Sequence, residues 1–137
     1  MGAGSASAGG PDGGPNEMML GQWHDGFPWV MLTLPGLNGP LSVEFIVDTG
    51  FNGDLALPEI VIRQLDTAIL ESRLIQLAGA FQQRSCYYEL VLDWEGEPRS
   101  IEVLALNGNP LIGNDLWKDQ ALQAENTDGG EVLFEPL

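Results

Sequence analysis

The apolar run Phe45-Ile46-Val47 breaks off abruptly at Asp48-Thr49-Gly50, and Asn52-Gly53 follows directly. No other stretch restricts the fold of this chain so tightly. A carboxylate at the end of a buried strand is costly unless nearby donors satisfy it. Gly50 permits a tight turn and close approach of other backbone. Thr49 supplies a hydroxyl that can brace the turn, and Asn52-Gly53 is a further turn signal. The stretch therefore predicts a strand that delivers one acid, on a short rigid loop, to the mouth of a core.

The rest of the chain reads as short elements between turns. Strands are expected at Trp29–Leu34 and Leu41–Val47, joined through the turn-rich Pro35–Pro40, and at Leu55–Leu57. Pro58 is suited to open a helix from Ile60 to about Leu65, since its missing N–H is not needed there, and Glu59 adds favourable charge. Leu74–Leu77 and Phe81–Trp94 read as extended, with a turn at Glu95–Pro98. Arg99–Leu106 is a strand with Ile101, Val103 and Ala105 on one face. Leu111-Ile112-Gly113 is short and apolar. Asn114 or Asp115 is placed to cap a second helix reaching about Leu122. Glu131–Phe134 is the closing strand.

Residues 1–16 are rich in Gly, Ala, Ser and Pro and are expected to form a flexible tail, leaving one folded unit at 17–137. With 18 glycines and 9 prolines in 137 residues, many short elements and turns are favoured over long helices. Five basic against twenty acidic residues give a net charge of −15. That argues against nucleic acid and against anionic membrane surfaces, because no basic stripe is available to meet phosphate. No run approaches the roughly 20 apolar residues of a membrane span. The lone cysteine, Cys86, precludes an intrachain disulfide and fits a reducing, cytoplasmic compartment. A single histidine, His24, cannot build a metal site in one chain, so neither metal nor cofactor is expected.

Val47-Asp48-Thr49-Gly50 resembles the active-site motif of aspartic peptidases. Extended through Phe51-Asn52-Gly53 and Leu55-Ala56-Leu57-Pro58, it resembles the small bacterial retropepsin-like members. Pro110-Leu111-Ile112-Gly113-Asn114-Asp115-Leu116 is similar to the later apolar-apolar-Gly segment of that family, in the same order and at about the same spacing. The resemblance spans about Trp29 to Leu137. It implies a mostly β fold, a small closed or orthogonal β-barrel-like half of an acid protease with one or two short helices. It implies an aspartic endopeptidase with Asp48 as the catalytic acid and Thr49 and Gly50 shaping the loop. Leu111, Ile112 and Gly113 would support that loop from below. A mobile flap would lie at Ala78, Gly79 and Ala80, although Leu77–Phe81 matches a flap tip only loosely and lacks its tyrosine. Phe51 departs from the small residue usual after Asp-Thr-Gly; its ring either narrows the pocket or packs under the loop.

Two carboxyls sharing one proton can activate water and protonate the carbonyl oxygen without metal or covalent intermediate. This chain carries one such motif. Asp54 and Asp115 lack its loop context, and Asp115 reads as a helix cap. The economical arrangement is a C2 homodimer, each chain giving one Asp48, with Glu131–Phe134 contributing to a dimer sheet. The expected partners are a peptide or protein substrate and a second copy. The alternative is a catalytically silent dimeric binding module of the same fold.

Overall fold

Alternation of buried and exposed side chains explains most of the strands. In the computed structural model, which describes residues 19–76, 79 and 81–137, ten strands and one short helix form in chain order. β1 (Met19–His24) and β2 (Phe27–Leu34) make a hairpin, with Val30, Leu32 and Leu34 inward and Met31 and Thr33 outward. β3 (Leu41–Val47) starts half-exposed and ends with three consecutive buried residues, Phe45, Ile46 and Val47. Such a run requires cover on both faces. β4 (Leu55–Leu57) is buried throughout and runs into α1 (Glu59–Ile62), which follows Pro58 as expected.

β5 (Ala68–Gln76) and β6 (Gln82–Trp94) form a long hairpin, and β6 turns back into β7 (Glu97–Ala105). The chain ends with β8 (Leu111–Ile112), β9 (Gln120–Ala124) and β10 (Glu131–Pro136). All ten strands lie in one sheet of order β5-β6-β7-β4-β8-β3-β2-β1-β10-β9. The fold is mostly β, and β5 and β9 are the two outer strands. Residues from both wings, among them Val30, Leu32 and Phe134 from one and Leu90, Trp94 and Ile101 from the other, share one apolar cluster, so the sheet bends over a single core. Among the described residues no helix is long and apolar enough to cross a membrane.

Several expectations need correction. A strand that the expected set lacked, β1, precedes Trp29. Asp25 and Gly26 take positive φ (52° and 82°), the conformation of a two-residue type I′ turn, and this allows β1 to pair with β2. The dipeptide Asp-Gly carried that signal. β5 starts at Ala68, six residues ahead of the extended run expected from Leu74.

The larger correction is at residues 114–122, where no helix forms. Leu116 and Gln120 donate their N–H groups to Gly113 and Trp117, both three residues back. Asp119 at φ 67° then ends the coil, and β9 begins. Leu122 packs on the core from that strand, and Trp117 lies 5.4 Å from Phe134, ring to ring. Tertiary burial outweighs a weak helical preference over so few residues. The expected tail, 1–16, lies outside the described residues.

Candidate active site

The two short strands β4 and β8 determine where Asp48 points. β8 lies between β3 and β4, parallel to β3 (Ile46 opposite Leu111, Val47 opposite Ile112) and antiparallel to β4. The chain therefore leaves β3 at Asp48, loops out, and returns as β4 on the far side of β8. Asp48 donates its N–H to the Ile112 carbonyl at 2.9 Å. The loop itself is closed by the Phe51 N–H on the Asp48 carbonyl at 3.1 Å and by the Gly50 N–H on Asp48 Oδ1 at 2.9 Å. That last bond orients the carboxylate and partly meets its need for donors.

The segment leaving β8 locks the loop from below. Gly113, Asn114 and Asp115 donate their N–H groups to the carbonyls of Asp54, Phe51 and Gly53 at 2.9, 2.8 and 3.1 Å. Gly113 has no room for a side chain, since a Cβ there would sit 2.2 Å from the Gly53 oxygen and 2.8 Å from the Phe51 oxygen. The Phe51 ring occupies the same space, close against Gly53 and Gly113. Of its two expected placements it takes the one under the loop. Asn114 Nδ2 donates to the Thr49 carbonyl at 2.8 Å and to Asn52 Oδ1 at 3.1 Å. Its side chain braces the loop instead of capping a helix.

Above the loop lies a cavity of about 360 Å³. Phe27, Ile46, Leu106 and Leu111 give it apolar walls; Asp48, Thr49, Asn107 and Asn109 supply polar groups. Asp48 is the one carboxylate lining it among the described residues. A smaller space of about 200 Å³, bordered by Glu59, Arg84, Ser85 and Cys86, adjoins it across Leu106 and Asn107.

The other carboxylates serve elsewhere. Asp54 is largely buried and accepts the Glu102 N–H at 3.0 Å, with Arg99 3.8 Å away. Burial pushes its pKa up, and the Glu102 N–H and the Arg99 charge oppose that only in part. Asp115 is exposed, and its carbonyl accepts from Arg99 at 2.9 Å while Leu116's accepts at 2.7 Å. Arg99 thus ties β7 to the segment beneath the loop. Neither that role nor the bracing by Asn114 had a signal in the sequence, because both depend on partners far along the chain.

His24 lies outside the cavity wall. It stacks on Trp29 at 4.7 Å and shares its ring nitrogens with Asp25 (3.0 Å) and Glu44 (3.2 Å). The Asp25 hydrogen bond, then Glu44, holds its pKa above the usual value. Tyr88 donates to Glu59 at 3.3 Å, and Cys86 is a half-buried free thiol.

Of the predicted site, Asp48, Thr49 and Gly50 form the loop, and Leu111, Ile112 and Gly113 lie against it. Gly79, exposed at φ 80°, sits in the connection between β5 and β6. Ala78 and Ala80, the other expected flap residues, lie outside the described residues. The expected role of Glu131–Phe134 in a dimer sheet is overturned: β10 is paired with β1 on one side and β9 on the other, so both its edges are taken within the chain. Compared with known proteins, the chain matches no family model, no curated protein and no solved structure.

Proposed function

We propose that this chain is a retropepsin-like aspartic endopeptidase that works as a homodimer. The observation that carries the reading is Asp48 itself: a carboxylate at the end of a buried strand, oriented by the Gly50 N–H and open to an apolar-walled cavity. A loop clamped by three backbone bonds from Gly113–Asp115 holds such an acid with little freedom, as catalysis by positioned groups requires. On this reading the bent sheet is one barrel-like half of an acid protease, and the β5–β6 hairpin is its flap. The free thiol of Cys86 fits a reducing compartment such as the cytoplasm.

One Asp48 is half of an acid–base pair. The second comes from the other copy across a two-fold axis. An aspartate pair a few ångströms apart holds a single shared proton. The ionised member takes a proton from water as it attacks the peptide carbonyl. The protonated member donates to the carbonyl oxygen and later to the departing amine. The apolar walls accept a side chain beside the scissile bond, and Asn107 and Asn109 offer hydrogen bonds to substrate backbone.

The test is cleavage of a peptide library from acid to alkaline pH. A bell in the acid range, about pH 2 to 6, is expected for a shared-proton pair. Asp48→Asn should abolish cleavage while the chain stays folded. Undiminished cleavage by that variant, or an alkaline optimum, would remove the proposal. A parent protein that dimerises yet cleaves nothing would leave the binding-module alternative.

A further inference from the structure

The tip of the β1–β2 hairpin, residues 24–27, overhangs the strand beside it. The β2–β3 ladder begins at Trp29, opposite Ile46, so Phe27 and Pro28 extend past it. Their strand partners are His24 and Trp23 of β1, and Pro28 has no N–H to give. Phe27 is nevertheless a wall of the cavity that holds Asp48, with 49% of its surface exposed. The ladder holds this wall from the β1 side. His24, opposite Phe27, supplies a second hold from the β3 side.

The His24 ring is placed to act as a cation. Nδ1 lies 3.0 Å from Asp25 Oδ2 and Nε2 lies 3.2 Å from Glu44 Oε2. An ionised carboxylate only accepts, so both bonds form together only when both ring nitrogens carry protons. The ring also stacks nearly parallel on Trp29, and Trp29 Nε1 donates to the His24 carbonyl at 2.9 Å. Asp25 belongs to the turn, Trp29 to β2 and Glu44 to β3, so one imidazolium joins the overhanging tip to its neighbours. β2 carries no charged residue. From the β10 side come Glu131, opposite Gln22, and Asp128, beside the Gly129 and Gly130 backbone that bonds Trp23. Among the described residues the ion pairs of His24 are with Asp25 and Glu44. The Asp25 hydrogen bond, joined by Glu44 against a partial loss of hydration, holds the ring's pKa above its ordinary 6.5. The imidazolium is therefore the resident form in acid, and its proton is lost as pH rises through that raised value.

We propose that His24 is a positioning residue for the cavity wall: its imidazolium clamps the β1–β2 turn to Glu44 of β3 and holds Phe27 at the Asp48 cavity, and loss of its proton frees that wall. The neutral ring keeps one N–H, and the carboxylate at its bare nitrogen then meets a lone pair instead of a donor. Only one of the two bonds survives, and the tip is left to its ladder with β1 and to Trp29. The clamp itself needs no catalysis. Its bearing on cleavage rests on the peptidase reading, in which Phe27 would contact a substrate side chain beside Asp48. There the wall is firm in acid, where a shared-proton pair works, and loosens above neutral pH.

NMR of the parent chain from about pH 5 to 8 tests the clamp directly. The Phe27 ring signals should move with the midpoint of the His24 ring protons and stay still in His24→Gln, whose amide is neutral throughout. In Glu44→Gln the histidine still titrates but its link to β3 is gone, so most of the Phe27 response should vanish. Phe27 signals that stay flat across the His24 titration of the parent overturn the proposal. So does a response that survives in Glu44→Gln, which marks a nearby charge without a clamp. If His24→Gln fails to fold by circular dichroism, Glu44→Gln decides. Kinetics in the upper acid range add a second readout. Either substitution should raise KM about threefold or more with kcat little changed, and on a Phe27→Ala background neither should add to the loss. A KM indifferent to both substitutions overturns the proposal as well. A parent that cleaves nothing, but whose Phe27 follows His24 only while Glu44 is present, keeps the clamp and loses the enzyme. A cleaving parent with neither response does the reverse.

Discussion

The Asp48 loop and the β5–β6 hairpin are both connections between strands, yet they are held by opposite means. The loop is short and is closed by its own Phe51–Asp48 bond and by three backbone bonds from Gly113–Asp115, with Phe51 and Gly113 filling the space beneath. The hairpin is long and mostly exposed; Leu74 and Phe81 are 59% and 75% accessible. Away from the buried Leu90, Leu92 and Trp94 of β6, it is held beyond its ladder by surface side chains, chiefly Arg73, which bonds Glu71 and Glu102 and lies 3.9 Å over the Tyr87 ring. Such surface contacts contribute little each. The loop closes polar backbone against a core, whereas the outer part of the hairpin leaves apolar side chains without one.

The sharpest way to break the loop is at Gly113. Gly113→Ala drives a methyl into two backbone oxygens that cannot step aside separately, and should cost roughly 3 kcal/mol of stability, read from denaturant unfolding. A loss below the usual surface effect would mean that the loop is not clamped as described. Asn114→Ala is the next step down. It leaves the fold's backbone bonds in place but removes the brace on Thr49 and Asn52, with an expected loss of about 1 to 2 kcal/mol. Cleavage should fall further than stability does, because the loop that carries Asp48 loosens.

Asp54 adds a pH arm to the comparison. Its pKa is raised by burial, so the fold favours the protonated acid. That contribution is fully present below the unfolded-state value and is lost as pH rises through the folded one. Asp54→Asn, neutral at every pH, should therefore gain on the parent as pH rises from acid to neutral. Thermal unfolding of both chains across that range measures it, and a variant that loses ground on the parent with rising pH would contradict the burial argument. The smallest effect belongs to the hairpin. Leu74→Gln at an exposed site should change stability by no more than about 0.5 kcal/mol. Cleavage should nevertheless fall if this hairpin closes over the cavity, which separates a flap from an inert surface turn.

Much of the site was legible in the order of residues. Val47-Asp48-Thr49-Gly50 announced a loop, because an abrupt change from apolar to turn-forming residues is a local signal; that Leu111-Ile112-Gly113 would support it was implied only by the family resemblance. The placement of Arg99 and Asn114 was not. An arginine in a strand and an asparagine after a glycine look ordinary until the backbone carbonyls that they bind, at Leu116 and Thr49, are brought beside them. The segment after Gly113 misled for the same reason. Asn114-Asp115 before an apolar run reads as a helix start, but the asparagine was already committed to the Asp48 loop.

What the residues determined by themselves is most of the short strands, their turns and the placing of one acid at the end of a buried run. These follow from side-chain alternation and from turn chemistry, which act over a few residues. What only the tertiary structure decided is which strands adjoin. β8 slots between β3 and β4, and β10 is enclosed by β1 and β9, leaving β9 at the rim. Backbone hydrogen bonds carry almost no sequence identity, so pairing partners are chosen by the burial of whole faces against one another. A site built where β3, β8 and β4 adjoin is settled at that level.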